Sequence, residues 1–112
     1  SLKDIIEEIH NSKKLAMADI STLQEGIKAD KLGADIISTT LSGYTDESGE
    51  KGDTPDFELL AELVKATSKP VILEGRIWSP EEVTTAFELG AHSVVIGSAI
   101  TRPQLITRRF IG

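Results

Sequence analysis

The chain has 112 residues, of which 39% are hydrophobic and 27% charged, values that fit one modest globular core and exclude two domains, disorder and a membrane span. A net charge of -6 argues against nucleic acid and anionic membranes as partners, and the lack of cysteine excludes disulfides and thiolate metal sites. We therefore expect a cytoplasmic protein. Because it opens at Ser1 without methionine, we also expect a processed, trimmed or excerpted chain.

The predicted elements begin with a helix and continue as strand–helix pairs. Leu2, Ile5, Ile6 and Ile9 have the spacing of an amphipathic helix with one apolar stripe. Four short runs of apolar or β-branched residues are too brief for helices and predict strands of a parallel sheet. These runs cover residues 15–19, 35–40, 71–74 and 93–97.

A helix follows each predicted strand, and cap patterns indicate where these helices begin. Ser21 with Gln24 three residues later is typical of a capping box. Pro55 suits a first helical position, and Ser79-Pro80 combines an N-cap with a proline at the next position. The predicted helices cover residues 21–32, 55–67, 80–89 and 99–110, with a polar loop at 42–54.

Four strand–helix pairs predict right-handed βαβ crossovers and an α/β fold with a parallel sheet. The segment 32–37 is echoed 57 residues later at 89–94, as expected of a duplicated (β/α)8 TIM barrel. A repeated doubly wound sheet would give the same echo. Because a full barrel needs about 250 residues, residues 1–112 would form half of one. Its open edges should bind the missing half or another copy of the chain, as a homo-oligomer.

Candidate site residues lie at the carboxyl ends of the predicted strands, where parallel α/β folds place their chemistry. Glu74 directly follows an apolar strand and would lose part of its water, which makes it a candidate general acid or base. The alternative for Glu74 is a structural ion pair with Arg76 or another basic residue. The alternative for Asp19 is a structural role at the start of the helix that follows it. The remaining strand-end candidates are Thr39, Thr40, Gly75, Gly97 and Ser98.

A phosphate site is predicted after the last strand. Gly97-Ser98 leads into a helix that carries Arg102, an arrangement similar to the phosphate sites of many barrels. A helix start without a ligand is the alternative. The acidic loop has Lys51 and Phe57 where a calcium loop needs glycine and glutamate, so we predict no metal site. Trp78 is expected to cover the neighbouring loop.

Four motifs in order resemble the bacterial N-acetylmannosamine-6-phosphate 2-epimerases. The resemblance covers nearly the whole chain but only the C-terminal half of that family's barrel, so residues 1–112 are predicted to be the C-terminal half of a single TIM-barrel domain. The motifs are residues 18–21 (ADIS), 39–45 (TTLSGYT), 73–82 (LEGRIWSPEE) and 95–103 (VIGSAITRP).

This resemblance implies a cofactor-free enzyme of sialic acid catabolism that inverts C2 of a phosphorylated amino sugar. It implies that Glu74 is the acid/base group and that Asp19 contacts sugar hydroxyls. Arg76 would touch substrate or orient Glu74. Arg102 would hold the phosphate beside the backbone of residues 97 and 98. With Asp19, the residues predicted to bind substrate are Thr39, Gly75 and Arg76.

The family's catalytic partner for the glutamate is a lysine from an early strand, and no lysine of this chain occupies a strand's carboxyl end. We therefore expect the chain alone to be inactive or very poor and the complete protein to be an epimerase. Two alternatives remain open. One is another phosphate-binding barrel, such as an indole-glycerol-phosphate or thiamine-phosphate synthase relative. The other is a non-catalytic half-barrel.

Overall fold

The computed structural model describes residues 1–112 as six helices and four strands. Their order confirms the predicted alternation. The strand predicted at 71–74 has the predicted bounds, whereas the other three strands are shorter than expected. No helix has both the length and the apolar character needed to cross a membrane. The elements are α1 (Leu2–Asn11), β1 (Met17–Asp19), α2 (Leu23–Lys31), β2 (Ile36–Ser38), α3 (Phe57–Ala66), β3 (Val71–Glu74), α4 (Pro80–Glu88), β4 (Ser93–Val95), α5 (Ser98–Thr101) and α6 (Pro103–Ile111).

The four strands form one parallel sheet in the order β1-β2-β3-β4. Each strand is followed by a helix or loop that returns the chain to the same edge, as parallel pairing requires. The register pairs Asp19 with Ser38, Ser38 with Ile72, and Glu74 with Val95. The carboxyl ends of all four strands therefore meet at one edge of the sheet.

The core lies between one face of the sheet and the helices. Ile37, Val71 and Leu73 point to this face and are at most 2% exposed, and they join Leu63 of α3 in one apolar cluster. Successive strand residues point to opposite faces, so their neighbours face away from the helices. On that second face Val95 is 41% exposed, which leaves an open sheet surface.

Two helices begin one or two residues later than predicted. The capping box of α2 is formed by Thr22 and Glu25 rather than Ser21 and Gln24. The reason is that the Glu25 carboxylate accepts from the backbone N–H and hydroxyl of Ser21 as well as from the Thr22 N–H. Likewise, α3 starts after Asp56, which caps the Leu59 N–H, so Pro55 lies outside the helix.

The predicted final helix is divided into α5 and α6 at Arg102. Pro103 has no backbone N–H and cannot continue the hydrogen-bond ladder of α5, but it suits the first position of a new helix. The preceding strand is also shorter than predicted. It ends at Val95, which leaves Gly97 to cap α5.

Candidate active site

Three adjacent strand ends bring two carboxylates and a hydroxyl together on the open face of the sheet. The Thr40 hydroxyl, just beyond β2, lies 2.7 Å from Oε2 of Glu74 and 3.2 Å from Oδ1 of Asp19. The register places Asp19 on β1 and Glu74 on β3, one strand to either side. The residue pattern therefore links the two predicted acidic residues through a threonine.

The Thr40 hydroxyl carries one hydrogen, so it donates to one carboxylate at a time. The shorter contact is with Glu74, where a charge-assisted bond is the stronger of the two. Ser38 lies 2.6 Å away, between the strands, and its hydroxyl can donate to the Thr40 oxygen. This chain of hydroxyl groups fixes the direction in which the Glu74 carboxylate points.

Thr39 lies on the opposite face from Thr40 and is fully buried. Its hydroxyl donates to the backbone carbonyl of Glu74 and accepts from the Glu74 N–H, both at 3.2 Å. The alternation of a strand turns it toward the helices, where no ligand can reach it. The structure therefore corrects the prediction that Thr39 binds substrate. The threonine that lines the cavity is Thr40.

A cavity of about 360 Å³ opens at this edge of the sheet, a size typical of small-ligand sites. It brings together five of the predicted site residues, namely Glu74, Gly75 and Arg76 at the end of β3, and Gly97 with Ser98 after β4. Asp19 is linked to it through Thr40, and Thr39 and Arg102 do not line it. The lining residues are Thr40, Tyr44, Glu74, Gly75, Arg76, Ile77, Trp78, Val95, Gly97 and Ser98.

The turn after β3 has an unusual backbone. Gly75 and Arg76 both have positive φ, +110° and +60°. This left-handed conformation is easy for glycine but costs about 1–2 kcal/mol for a residue with a Cβ. The Arg76 guanidinium donates to the backbone carbonyls of Ser42 and Thr54, at 2.9 and 2.8 Å. No basic side chain, Arg76 included, forms an ion pair with Glu74, so the structure does not support the ion-pair alternative.

The last strand end provides a small, open binding surface. Gly97 caps α5, and no heavy atom lies within 4 Å of the position where a Cβ would stand, so a ligand can approach its backbone closely. Arg102 ends α5 outside the cavity. With the Gln104 amide turned so that its oxygen faces Arg102, the guanidinium donates to it from Nε at 2.9 Å. Arg102 therefore stands at the break between α5 and α6 and does not line the cavity that Gly97 and Ser98 line.

Two aromatic side chains, Tyr44 and Trp78, line the cavity in addition to the predicted site residues. Tyr44, on the loop after β2, is 68% exposed, and the Arg76 guanidinium lies 5.9 Å from its ring centre. Trp78 is held from behind by Arg109 of α6, whose guanidinium stacks 3.8 Å from the indole centre. The expected role of Trp78 as a cover of the neighbouring loop stays a prediction, and the structure places its side chain in the cavity lining. No sequence signal indicated Arg109.

The loop between β2 and α3 is fastened near its end by a charged group. Burial of Asp56 acts to raise its pKa, but hydrogen bonds from the Ser42 hydroxyl and Leu59 N–H, with Lys51 nearby, outweigh burial and hold the pKa below its usual value. Asp56 is therefore ionised at neutral pH.

No group of three or more histidine, aspartate and glutamate side chains is arranged to hold a metal ion.

Comparisons with known proteins point to one family. A family model described as "Putative N-acetylmannosamine-6-phosphate epimerase" matches residues 1–112. A Clostridium perfringens (strain SM101 / Type A) relative named "Putative N-acetylmannosamine-6-phosphate 2-epimerase" is 60% identical over 110 residues, covering 98% of this chain and 49% of that protein. The chain thus spans about half the length of the curated relatives it matches.

Solved structures support the fold. The N-acetylmannosamine-6-phosphate 2-epimerase from Clostridium perfringens superposes with a TM-score of 0.93 at 59% identity, covering 99% of this chain and 48% of that one. A thiamine phosphate pyrophosphorylase from Pyrococcus furiosus gives 0.68 at 22% identity, covering 89% and 46%, which is similarity of fold alone. The predicted fold class, four strand–helix units of a (β/α)8 barrel, is confirmed.

Proposed function

Because the chain belongs to the N-acetylmannosamine-6-phosphate epimerase family, we propose that it forms part of an enzyme that inverts C2 of an N-acetylhexosamine 6-phosphate. The substrate pair would be N-acetylmannosamine 6-phosphate and N-acetylglucosamine 6-phosphate, interconverted in sialic acid catabolism. The observation that carries this proposal is the Glu74 carboxylate, oriented by Thr40 and lining the same cavity as Gly97 and Ser98 at the end of the neighbouring strand.

The chemistry requires a proton to leave C2 on one face of the sugar and another to return on the opposite face. Glu74 supplies one of these groups, as a base when ionised or an acid when protonated. Thr40 holds its carboxylate toward the cavity, and Asp19, one strand further, is placed to accept a hydrogen bond from a sugar hydroxyl. The phosphate would bind the backbone at Gly97 and Ser98. Arg102 lies outside the cavity on Gln104, so it would hold the phosphate only after its side chain leaves Gln104.

The second proton-transfer group must come from outside this chain. None of the residues that line the cavity is a lysine. The open sheet face at Val95 and the share of the relatives that the chain covers support a complementary half-barrel as its source. We propose that residues 1–112 are the C-terminal half of one barrel domain. A cytoplasmic location and self-association stay predictions from the sequence.

The test pairs the chain with a polypeptide that supplies the complementary four strand–helix units, and follows exchange of the C2 proton in deuterium oxide. We expect wash-in at C2 by the pair and none by the chain alone. Glu74→Gln should reduce turnover about 10²- to 10⁴-fold, whereas Glu88→Gln, an exposed matched control, should leave it unchanged. Full turnover by the chain alone would refute the split site. A phosphate-dependent reaction without C2 exchange would favour a different barrel enzyme.

Two variants of Thr40 test whether its hydroxyl orients the Glu74 carboxylate. Thr40→Val keeps the shape but removes the hydroxyl that orients Glu74, and we expect kcat to fall about 10- to 100-fold, the worth of a hydrogen bond to a charged group. Thr40→Ser retains the donor and should stay within about threefold of the parent. Equal rates for the two variants would show that the hydroxyl does not orient the catalytic carboxylate.

A further inference from the structure

The two ends of the loop that carries Tyr44 both contact one side chain, that of Arg76. Arg76 Nη1 donates to the Ser42 carbonyl at 2.9 Å, and Arg76 Nε donates to the Thr54 carbonyl at 2.8 Å. Ser42 and Thr54 are the first and last residues of a polar excursion, which we call the cover segment (residues 42–54). A single guanidinium therefore joins the two ends of the cover segment.

The fit around this guanidinium is close. A Cβ added to Gly43 would stand 2.8 Å from Arg76 Nη1, so the segment's backbone passes directly against the charged group. Gly43 has a φ of +87°, which glycine adopts without strain. The Tyr44 ring follows immediately, with its centre 5.9 Å from the guanidinium carbon, and it lines the cavity beside Glu74.

Lysine could not replace this arginine. The two carbonyls are reached by different nitrogens of one planar fork, whereas an ammonium group is a compact point charge on a flexible stem. The backbone of Arg76 is also held in the left-handed region, a strained conformation that persists only where surrounding contacts impose it. The hydrogen bonds of its side chain all go to the two ends of the cover segment.

We propose that Arg76 is a positioning residue that fastens both ends of the cover segment and so holds Tyr44 over the substrate cavity. This extends the proposed function, because the cavity under the cover is the one assigned to the sugar phosphate. In this role Arg76 binds the loop's carbonyls instead of the substrate, which revises the prediction that it contacts substrate.

The first test uses the chain itself and needs no activity. Lysyl endopeptidase cleavage after Lys51, within the cover segment, is followed by the masses of fragments 1–51 and 52–112. We expect Arg76→Gln to be cleaved at least about 10-fold faster than the parent, because two hydrogen bonds from a charged donor are lost. Arg108→Gln, on the exposed face of α6, should be cleaved at the parental rate.

A second variant distinguishes the loss of the Arg76 guanidinium from a change in backbone strain at this turn. Arg76→Gly removes the guanidinium but suits the positive φ, so it cannot release the loop by straining the turn. We expect Arg76→Gly to be cleaved as fast as Arg76→Gln, with far-UV circular dichroism unchanged in both. Parental cleavage rates in both variants would overturn the proposal.

The kinetic test uses the chain with its complementary half. A loosened cover must be ordered again each time substrate binds, so we expect Arg76→Gln to raise KM about 10-fold while kcat stays within about threefold. A loss confined to kcat would overturn the proposal, because it would place Arg76 at the reacting atoms. If the parent pair shows no epimerase activity, the proposed function fails and the cleavage result alone decides the role of Arg76.

Discussion

Two strand–helix–strand units of the molecule, β1-α2-β2 and β3-α4-β4, are nearly identical at one end and different at the other. At the amino edge of the sheet, the C-cap residue of both α2 and α4 is a leucine. Each leucine is followed by a glycine with positive φ, +103° at Gly33 and +102° at Gly90. At the carboxyl edge, three residues join β1 to α2, but five join β3 to α4.

The two additional residues after β3 are where the site is built. Gly75 and Arg76 form the left-handed turn there, and Trp78 follows them to line the cavity. The short connection after β1 leads directly into a capping box. The matched turns thus keep the strands in register, and the unmatched connections determine the chemistry. Three experiments test this comparison.

The largest difference is expected where the two matched glycines meet different neighbours. Alanine at either position is strained by about 1–2 kcal/mol because φ is positive. A Cβ at Gly33 would make only ordinary contacts, whereas one at Gly90 would come within 2.8 Å of Val64. We expect urea unfolding to show a loss of about 1–2 kcal/mol for Gly33→Ala and about 3–4 kcal/mol for Gly90→Ala.

A double variant isolates the clash at Gly90. Adding Val64→Ala to Gly90→Ala should cost less than the sum of the two single changes, because the smaller side chain removes the overlap. Strict additivity would show that backbone strain alone explains the result. The two turns would then be equivalent in packing as well as in conformation.

An intermediate effect is expected at the helix starts. The Thr22 hydroxyl accepts from the Glu25 N–H and the Ser79 hydroxyl from the Glu82 N–H, both at 3.2 Å. Thr22→Ala and Ser79→Ala should therefore each reduce the free energy of unfolding by about 1 kcal/mol. Losses that differ by more than this amount would mean that the two helix starts are not equivalent.

The smallest effect on stability is expected at the one position where the matched turns differ in charge. Asp35 follows the first turn, and His92 occupies the corresponding position after the second. The Ala16 N–H, and then His10, donate to the Asp35 carboxylate and lower its pKa. A folded-state pKa below the unfolded value means that ionised Asp35 contributes stability at neutral pH, which is lost as the pH falls below about 4.

The Asp35 effect is measured as the urea midpoint between pH 6 and pH 3. We expect Asp35→Asn to flatten the decline that the parent shows on acidification, whereas Asp46→Asn, a change at an exposed loop carboxylate, should not. A decline that persists in Asp35→Asn would assign the acid sensitivity to other carboxylates, such as Glu25 and Asp56, whose pKa values are also lowered.

The order of elements followed from the sequence because apolar spacing and glycine turns are local properties. The Leu2–Ile9 stripe predicted the first helix, which is confirmed, and the helix ends predicted at residues 32 and 89 lie directly before the positive-φ turns at Gly33 and Gly90. Helix starts were less certain because neighbouring residues compete for the same donors. At α2, the Glu25 carboxylate binds both Ser21 and Thr22, and this contact decides which residue is the cap.

The candidate site was predictable only in part. Strand ends indicated Glu74 and Gly97, but which face each side chain takes depends on where a strand begins, so Thr39 was chosen over Thr40. The contact between Arg76 and the carbonyls of residues 42 and 54 depends on a loop path that no periodicity encodes. Long-range contacts of this kind require the folded chain.

The single hydrogen on the Thr40 hydroxyl makes the two carboxylates unequal to an arriving sugar. While Thr40 donates to Glu74, Asp19 receives no hydrogen bond from the protein and is free to accept one from a ligand. Oε2 of Glu74 already accepts from Thr40, whereas its Oε1 accepts from no protein group. A ligand that donates to both carboxylates would therefore meet two open oxygens on Asp19 but only one on Glu74, so the two sides of the site are chemically distinct.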